Sequence, residues 1–346
     1  MENDPTDNYL SNISLTSYLQ LMSNKFPDFY KALWFERPNS SQALKELENH
    51  ISDFEGSKKK GRGDYYRRAQ RDVFVRITGI KQILQLATQN QDIEHLSPTY
   101  KILDVLGGDG VLARVFKTLH WGNNLGQPIL TSDSAADMIA QALKYNLPAI
   151  RQQAQFLFIR DNSFDAVIIA YGTHHIPKNN RLLACQEAFR VLRPGGNIVI
   201  HDFEENSPIA RWFNEAVDKY SITGHKCCHF TSNEFHLYLQ RSGFKNIRIF
   251  PMYDPFIIKD SNRQIAFQKL MDYVFNMYGL AKLQQNSDDK DLPEKVYRLI
   301  EKYIHYELNN IKEAMPHWKS SISFYQEKNQ FVAELPRVAL VGVGTK

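Results

Sequence analysis

Leu103-Asp104-Val105-Leu106-Gly107-Gly108-Asp109-Gly110 is an apolar run that ends in an acid and a glycine-rich turn. Val111-Leu112-Ala113-Arg114-Val115-Phe116 follows with apolar positions at helical spacing. The stretch reads as strand, turn, helix. Glycines in such a turn let the backbone come within contact distance of a ligand that side chains would push away. A carboxylate at the strand end can pair with an ammonium or order the turn. Alone, this pattern is a weak signal.

Working outward, short apolar runs recur at 101–106, 128–133, 155–159, 165–171, 197–202 and 246–250, with longer amphipathic stretches between them. Near-continuous apolar runs bounded by turn residues suit strands buried on both faces. The strand–helix alternation predicts a doubly wound α/β sheet with ligands at the carboxyl ends of its strands. Residues 1–98 read as a helical cap or lid, and 99–258 as the core. Residues 259–330 read as a helical insertion over the substrate pocket, with helices at 263–283 and 293–311 around a polar loop at 284–291. Residues 331–346, with Arg337-Val338-Ala339-Leu340-Val341, supply the last core strand. The Gly56–Gly63 stretch, rich in lysine and glycine, reads as a mobile connection.

Composition bounds the function. Lys and Arg number 42 against 38 Asp and Glu, an excess of +4, too small to argue for nucleic acid or an acidic membrane. The local basic cluster from Lys58 to Arg62, with Arg67, Arg68 and Arg71, reads as a solvated loop and helix face. Cys185, Cys227 and Cys228 cannot build a disulfide framework, which predicts a reducing, cytoplasmic setting. No secretory signal or membrane span is expected. His225-Lys226-Cys227-Cys228-His229 lacks the spacing of a structural zinc site, whose paired thiolates stand about two to four residues apart. No metal is expected, and this segment reads as a loop near the pocket ahead of a helix at 231–242.

Strand two ends Ser132-Asp133-Ser134. A carboxylate at that tip accepts both hydroxyls of a ribose, a device that dinucleotide sites share. The joint pattern resembles class I S-adenosylmethionine (SAM)-dependent methyltransferases of the small-molecule type. Residues 103–114 are similar to the first motif of that family, and Asp133 through Met138 to its ribose-binding strand end and helix. Asp161-Asn162-Ser163-Phe164-Asp165 is similar to the start of its strand four, Ala170 through Pro177 to the end of that strand, and Arg190 through Gly196 to the turn before strand five. The resemblance implies a Rossmann-like, mostly parallel seven-stranded sheet carrying helical additions.

It further implies that Asp104, Leu106, Gly107, Gly108 and Gly110 hold the methionine part of SAM. Asp133 and Ser134 would take the ribose, Met138, Gln153 and Ala154 the adenine, and Tyr171 and Gly172 the sulfonium end. The family usually has glycine where Leu106 stands and an acid where Gln153 stands. Catalytic candidates by position are His174 and His175 past strand four, and His201 and Asp202 at the tip of strand five. Each also suits a backbone cap or a pocket wall. Tyr65, Tyr66, Arg67 and Arg71 are candidates for substrate contact or a lid over the cofactor, or for ordinary helix packing.

The expected activity is methyl transfer from SAM to a small, secondary-metabolite-like acceptor, leaving S-adenosylhomocysteine. One alternative is a cyclase or aminocarboxypropyl-type enzyme that uses SAM itself and releases methylthioadenosine. Another is a binding module without catalysis.

Overall fold

The third strand of the sheet is hidden in the sequence by a charge. A computed structural model of the chain describes residues 9–89, 96–97, 99–119, 126–284, 289–307 and 317–346. In it the expected run 155–159 is not a strand; Ala149–Arg151 is. Arg151 breaks the apolar run, while Phe156 and Phe158 serve packing instead. Phe158 stacks on Phe35 at 4.6 Å between ring centroids, which seats the N-terminal segment on the core.

That segment holds α1 (Leu15–Lys25), α2 (Pro27–Tyr30), α3 (Ser40–Asn49), α4 (Gly63–Ala69) and α5 (Ile77–Ala87). The central sheet uses β1 (Ile102–Asp104), β2 (Ile129–Asp133), β3 (Ala149–Arg151), β4 (Phe164–Ile169), β5 (Leu192–Asp202) and β6 (Lys245–Tyr253). The connecting helices are α6 (Val111–Thr118), α7 (Ala136–Lys144), α8 (Arg181–Val191), α9 (Pro208–Arg211), α10 (Asp218–Tyr220) and α11 (Ser232–Arg241), with a π turn at Trp212–Val217 between α9 and α10. After β7 (Phe256–Asp260) come α12 (Arg263–Tyr278), α13 (Leu292–Tyr303), β8 (Ser323–Glu327), β9 (Gln330–Leu335) and β10 (Val338–Thr345).

The seven-stranded sheet runs in the order β3-β2-β1-β4-β5-β10-β6. Its strands are parallel from β3 to β5. The last strand in the chain, β10, lies antiparallel between β5 and β6, with Val341 opposite both His201 and Phe250. This is the doubly wound, Rossmann-like arrangement that the sequence predicts. Leu103 sits opposite Leu130 of β2 and Val167 of β4, so β1 marks the point where the strand order turns. A crevice opens there beyond the strand ends. β1 is buried along its whole length, as are the inner residues of β4 and β5, which explains their unbroken apolar character.

The insertion differs from its purely helical reading. Beside α12 and α13 stands a separate antiparallel sheet of order β7-β9-β8. The β8–β9 hairpin turns at Lys328, which takes φ +54° without a glycine to announce it. The second helix ends at Tyr303 rather than 311. Residues 285–288 of the polar loop, Pro98 at the cap boundary and Ile311 lie outside the described residues. Among the described residues no helix is long and apolar enough to cross a membrane.

Candidate functional site

At the strand ends lies a cavity of about 370 Å³, walled by the tips of β1 to β4 and roofed by the N-terminal segment around Ser52, Asp53, Phe54 and Tyr66. Asp133 lies on its wall. The Asp133 carboxylate accepts from the backbone N–H of Gly108 at 3.0 Å and of Ala135 at 2.9 Å. The strand tip, the glycine turn and the start of α7 are therefore fixed to one side chain. Burial lifts the Asp133 carboxyl to about 6, although those backbone bonds oppose the rise.

Asp104, at the end of β1, is 1% exposed, and its Oδ2 has no hydrogen-bond partner. Burial, and then the charge of Asp133, push it to about 8, against the pull of Arg76. A buried carboxyl oxygen without a partner is costly unless a donor arrives. Gly108, at φ +56°, presents bare backbone beneath the Tyr66 ring, and Gly107 has no room for a side chain because an added Cβ would stand 2.6 Å from Asp104 Oδ2. Leu106 lines the cavity beside Gly172. Asp133 and the bare backbone at Gly108 line the cavity, whereas Asp104 is not among the residues on its wall.

Of the residues singled out from the sequence, Leu106, Gly108, Asp133, Ser134, Gln153, Ala154, Tyr171, Gly172, Tyr66 and His175 line the cavity. Gln153 Oε1 accepts from Gln155 at 3.0 Å and keeps a lone pair, whereas Gln152 is used up holding Ser132 and the Phe158 N–H. Gly107 and Gly110 shape the turn from behind. Met138 is fully buried in α7 and does not reach the wall. Tyr65 packs its ring against Phe275, Arg67 pairs with Asp64, and Arg71 is exposed.

The four catalytic candidates separate. His175 alone among them lines the cavity. His201 is fully buried, 3.5 Å from Asp254 Oδ2. Asp202 accepts from the His174 N–H at 2.7 Å and the Phe203 N–H at 2.7 Å, and meets His174 Nδ1 at 2.9 Å. Burial pushes the Asp202 carboxyl up, but His174 and His229 outweigh it and hold the group well below the usual range. Burial lowers His174, His175 and His225, the last to about 2, so these rings are neutral near pH 7. Arg62 meets His175 Nε2 at 3.3 Å.

Beyond Tyr66, the roof uses residues that the sequence did not single out. Glu55 is 3% exposed and caps α7 from 81 residues away: its Oε1 accepts from Ala136 N–H at 2.8 Å and its Oε2 from Asp137 N–H at 3.1 Å. The Gly56–Gly63 stretch is not a loose connection. Arg62 N–H donates to Asp53 O at 2.7 Å and Gly63 N–H to Glu55 O at 2.9 Å. An added Cβ at Gly61 would stand 2.1 Å from Glu55 O, so the glycine permits the loop to close. Lys58, Lys59 and Lys60 face solvent as expected, but Arg62 is buried, its guanidinium 4.5 Å from the Phe54 ring centroid. Arg76 lies 3.7 Å above the Tyr171 ring, and Tyr171 itself holds φ +62° at the end of β4. Strained backbone at a strand tip often marks a working site.

The strand order and the glycine-turn crevice are those of the Rossmann-like fold that class I SAM-dependent methyltransferases share. A family model for a methyltransferase domain matches residues 103–200. The chain is 34% identical over 116 residues to the ubiquinone/menaquinone biosynthesis C-methyltransferase UbiE of Agrobacterium fabrum, covering 31% of this chain and 43% of that protein. It is 28% identical over 138 residues to the protein of the same name from Legionella pneumophila strain Corby, covering 38% and 53%. The chain thus spans about half the length of these curated relatives. Among solved structures, it is similar to phosphoethanolamine N-methyltransferase 2 of Haemonchus contortus, at 14% identity and TM-score 0.45 with 86% of this chain and 61% of that one covered. It is also similar to a SAM-dependent methyltransferase from Archaeoglobus fulgidus, at 12% identity and TM-score 0.40, covering 77% and 93%.

Proposed function

We propose that the whole chain is a methyltransferase that binds SAM in the roofed cavity and passes its methyl group to a small-molecule acceptor. The observation that carries this reading is the pair of acids at neighbouring strand tips, Asp104 buried and Asp133 on the cavity wall. Asp133 is held by Gly108 and Ala135, and Asp104 has an unpartnered oxygen. When bound, SAM supplies an electrophilic methyl carbon. The chain's part is then to orient an acceptor in line and keep water out. Asp104 would receive the ammonium, Asp133 the ribose hydroxyls and Gln153 the adenine amine. The roof over the cavity suits a small acceptor rather than a polymer. The likeness of the core to C-methyltransferases of quinone biosynthesis supports the reaction class. A cytoplasmic setting accords with Cys227 and Cys228 as free thiols.

Calorimetry tests the cofactor: the chain is expected to bind SAM, and Asp133→Ala to weaken binding at least about tenfold, some 1.4 kcal/mol. Unchanged affinity in that variant would refute the assigned site. Product analysis tests the reaction. S-adenosylhomocysteine formed only with an acceptor supports methyl transfer, whereas methylthioadenosine formed from SAM alone would replace it with cyclisation.

A further inference from the structure

Behind the cavity wall, four histidine rings from two distant stretches crowd together. His174 and His175 follow β4, and His225 and His229 come from the loop before α11. Ring centroids lie 4.5 Å apart for His174 and His175, 5.0 Å for His174 and His225, and 5.4 Å for His175 and His225. One ring nitrogen or other ligand atom from each of these three lies within 4.8 Å of those of the other two.

We propose that His174, His175 and His225 form a binding site for a divalent transition metal ion of the zinc class. His174 is 5% exposed and His225 4%, yet His174 Nε2 and both ring nitrogens of His225 have no hydrogen-bond partner. Buried ring nitrogens without partners are costly, and two of the three converging rings, His174 and His225, carry them. On a tetrahedral zinc, with Zn–N of about 2.0–2.1 Å, ligand nitrogens stand roughly 3.4 Å apart and ring centroids about 5 Å apart, close to the spacing found here. All-imidazole donors select ions of the zinc, copper, iron and nickel group over magnesium or calcium.

The surroundings are those of a metal-binding histidine. His174 turns Nδ1 to the Asp202 carboxylate at 2.9 Å, the outer contact that fixes the ring and leaves Nε2 for an ion. His229 Nδ1 meets the same carboxylate at 3.4 Å and braces it. Both His175 ring nitrogens have neighbours, Arg62 donating to Nε2 at 3.3 Å and Cys227 Sγ 3.7 Å from Nδ1, so an ion bound through this ring displaces one of them. His175 and Cys227 are also cavity wall, so the ion would border the space where an acceptor sits.

The test uses the full chain without a histidine tag, stripped with chelator and titrated with Co²⁺. One equivalent per chain is expected, with the intense visible bands of tetrahedral cobalt. His225→Gln should weaken uptake at least about tenfold, and Asp202→Asn by about 10- to 100-fold, the range for outer-sphere partners. His229→Gln should retain uptake. Circular dichroism and SAM affinity, measured alongside, show that each variant is folded and keep this result separate from the cofactor assignment. Wild-type protein that takes up no stoichiometric cobalt, or takes it up with octahedral bands, overturns the proposal. Uptake that is undiminished in folded His225→Gln overturns it too; if that variant does not fold, the wild-type stoichiometry and spectrum decide.

Discussion

Asp104 and Asp133 end neighbouring strands beside the cavity, and their ionisation sets a pH signature. An unfolded aspartate titrates near about 3.9, whereas these two are lifted to about 8 and about 6. The folded state therefore holds their protons to higher pH. Their contribution to stability is fully present below the unfolded value and is lost as pH rises through about 6 and then about 8. The melting temperature of the ligand-free chain should fall across that window, and Asp104→Asn should flatten the alkaline part of the fall. Identical pH profiles for the two proteins would contradict the assignment. Both acids were readable from the sequence because strand, acid and glycine turn are contiguous and their roles are local. Glu55 and Arg76 were not, because each acts on groups brought near only by folding.

Arg151 at the end of β3 shows how an element gains its place. Its guanidinium donates to Tyr9 O at 3.0 Å, Leu47 O at 2.8 Å and Ser134 O at 3.0 Å, and so ties α3 and the N-terminal turn to the loop after β2. Tyr18 adds a bond from its hydroxyl to Ala149 O at 2.9 Å. α7 receives its cap from the same N-terminal segment through Glu55. Glu55→Ala should cost about 1–2 kcal/mol in urea unfolding, the range for a lost helix cap. SAM affinity should fall with it, since the cap orders the roof. Unaltered unfolding would mean that solvent replaces the carboxylate without loss. The parallel strands were legible because burial on both faces leaves a continuous apolar record. β3, with its arginine, and the β8–β9 hairpin, with a lysine turn, leave no such record.

At the scale of the molecule, the core that the family model matches is a minority of the chain, and the rest encloses it. The parallel strands other than β3, and a cavity at their carboxyl ends, followed from the pattern at 99–258. The second sheet did not, because its strands join residues far apart in sequence, and the lid read for 1–98 gave no hint of the Glu55 cap. Hydrogen exchange should show 50–66 and the start of α7 slowed together when SAM is added, while β8 and β9 stay unchanged. Exchange in 50–66 that is indifferent to SAM would mean the roof plays no part in binding. The Glu55 cap carries one further consequence. If a ligand beneath that roof can leave only when the bonds from Glu55 to the start of α7 break, departure of the spent nucleoside, not chemistry, would govern turnover. Loosening the latch should then make the enzyme faster and less retentive in a single stroke.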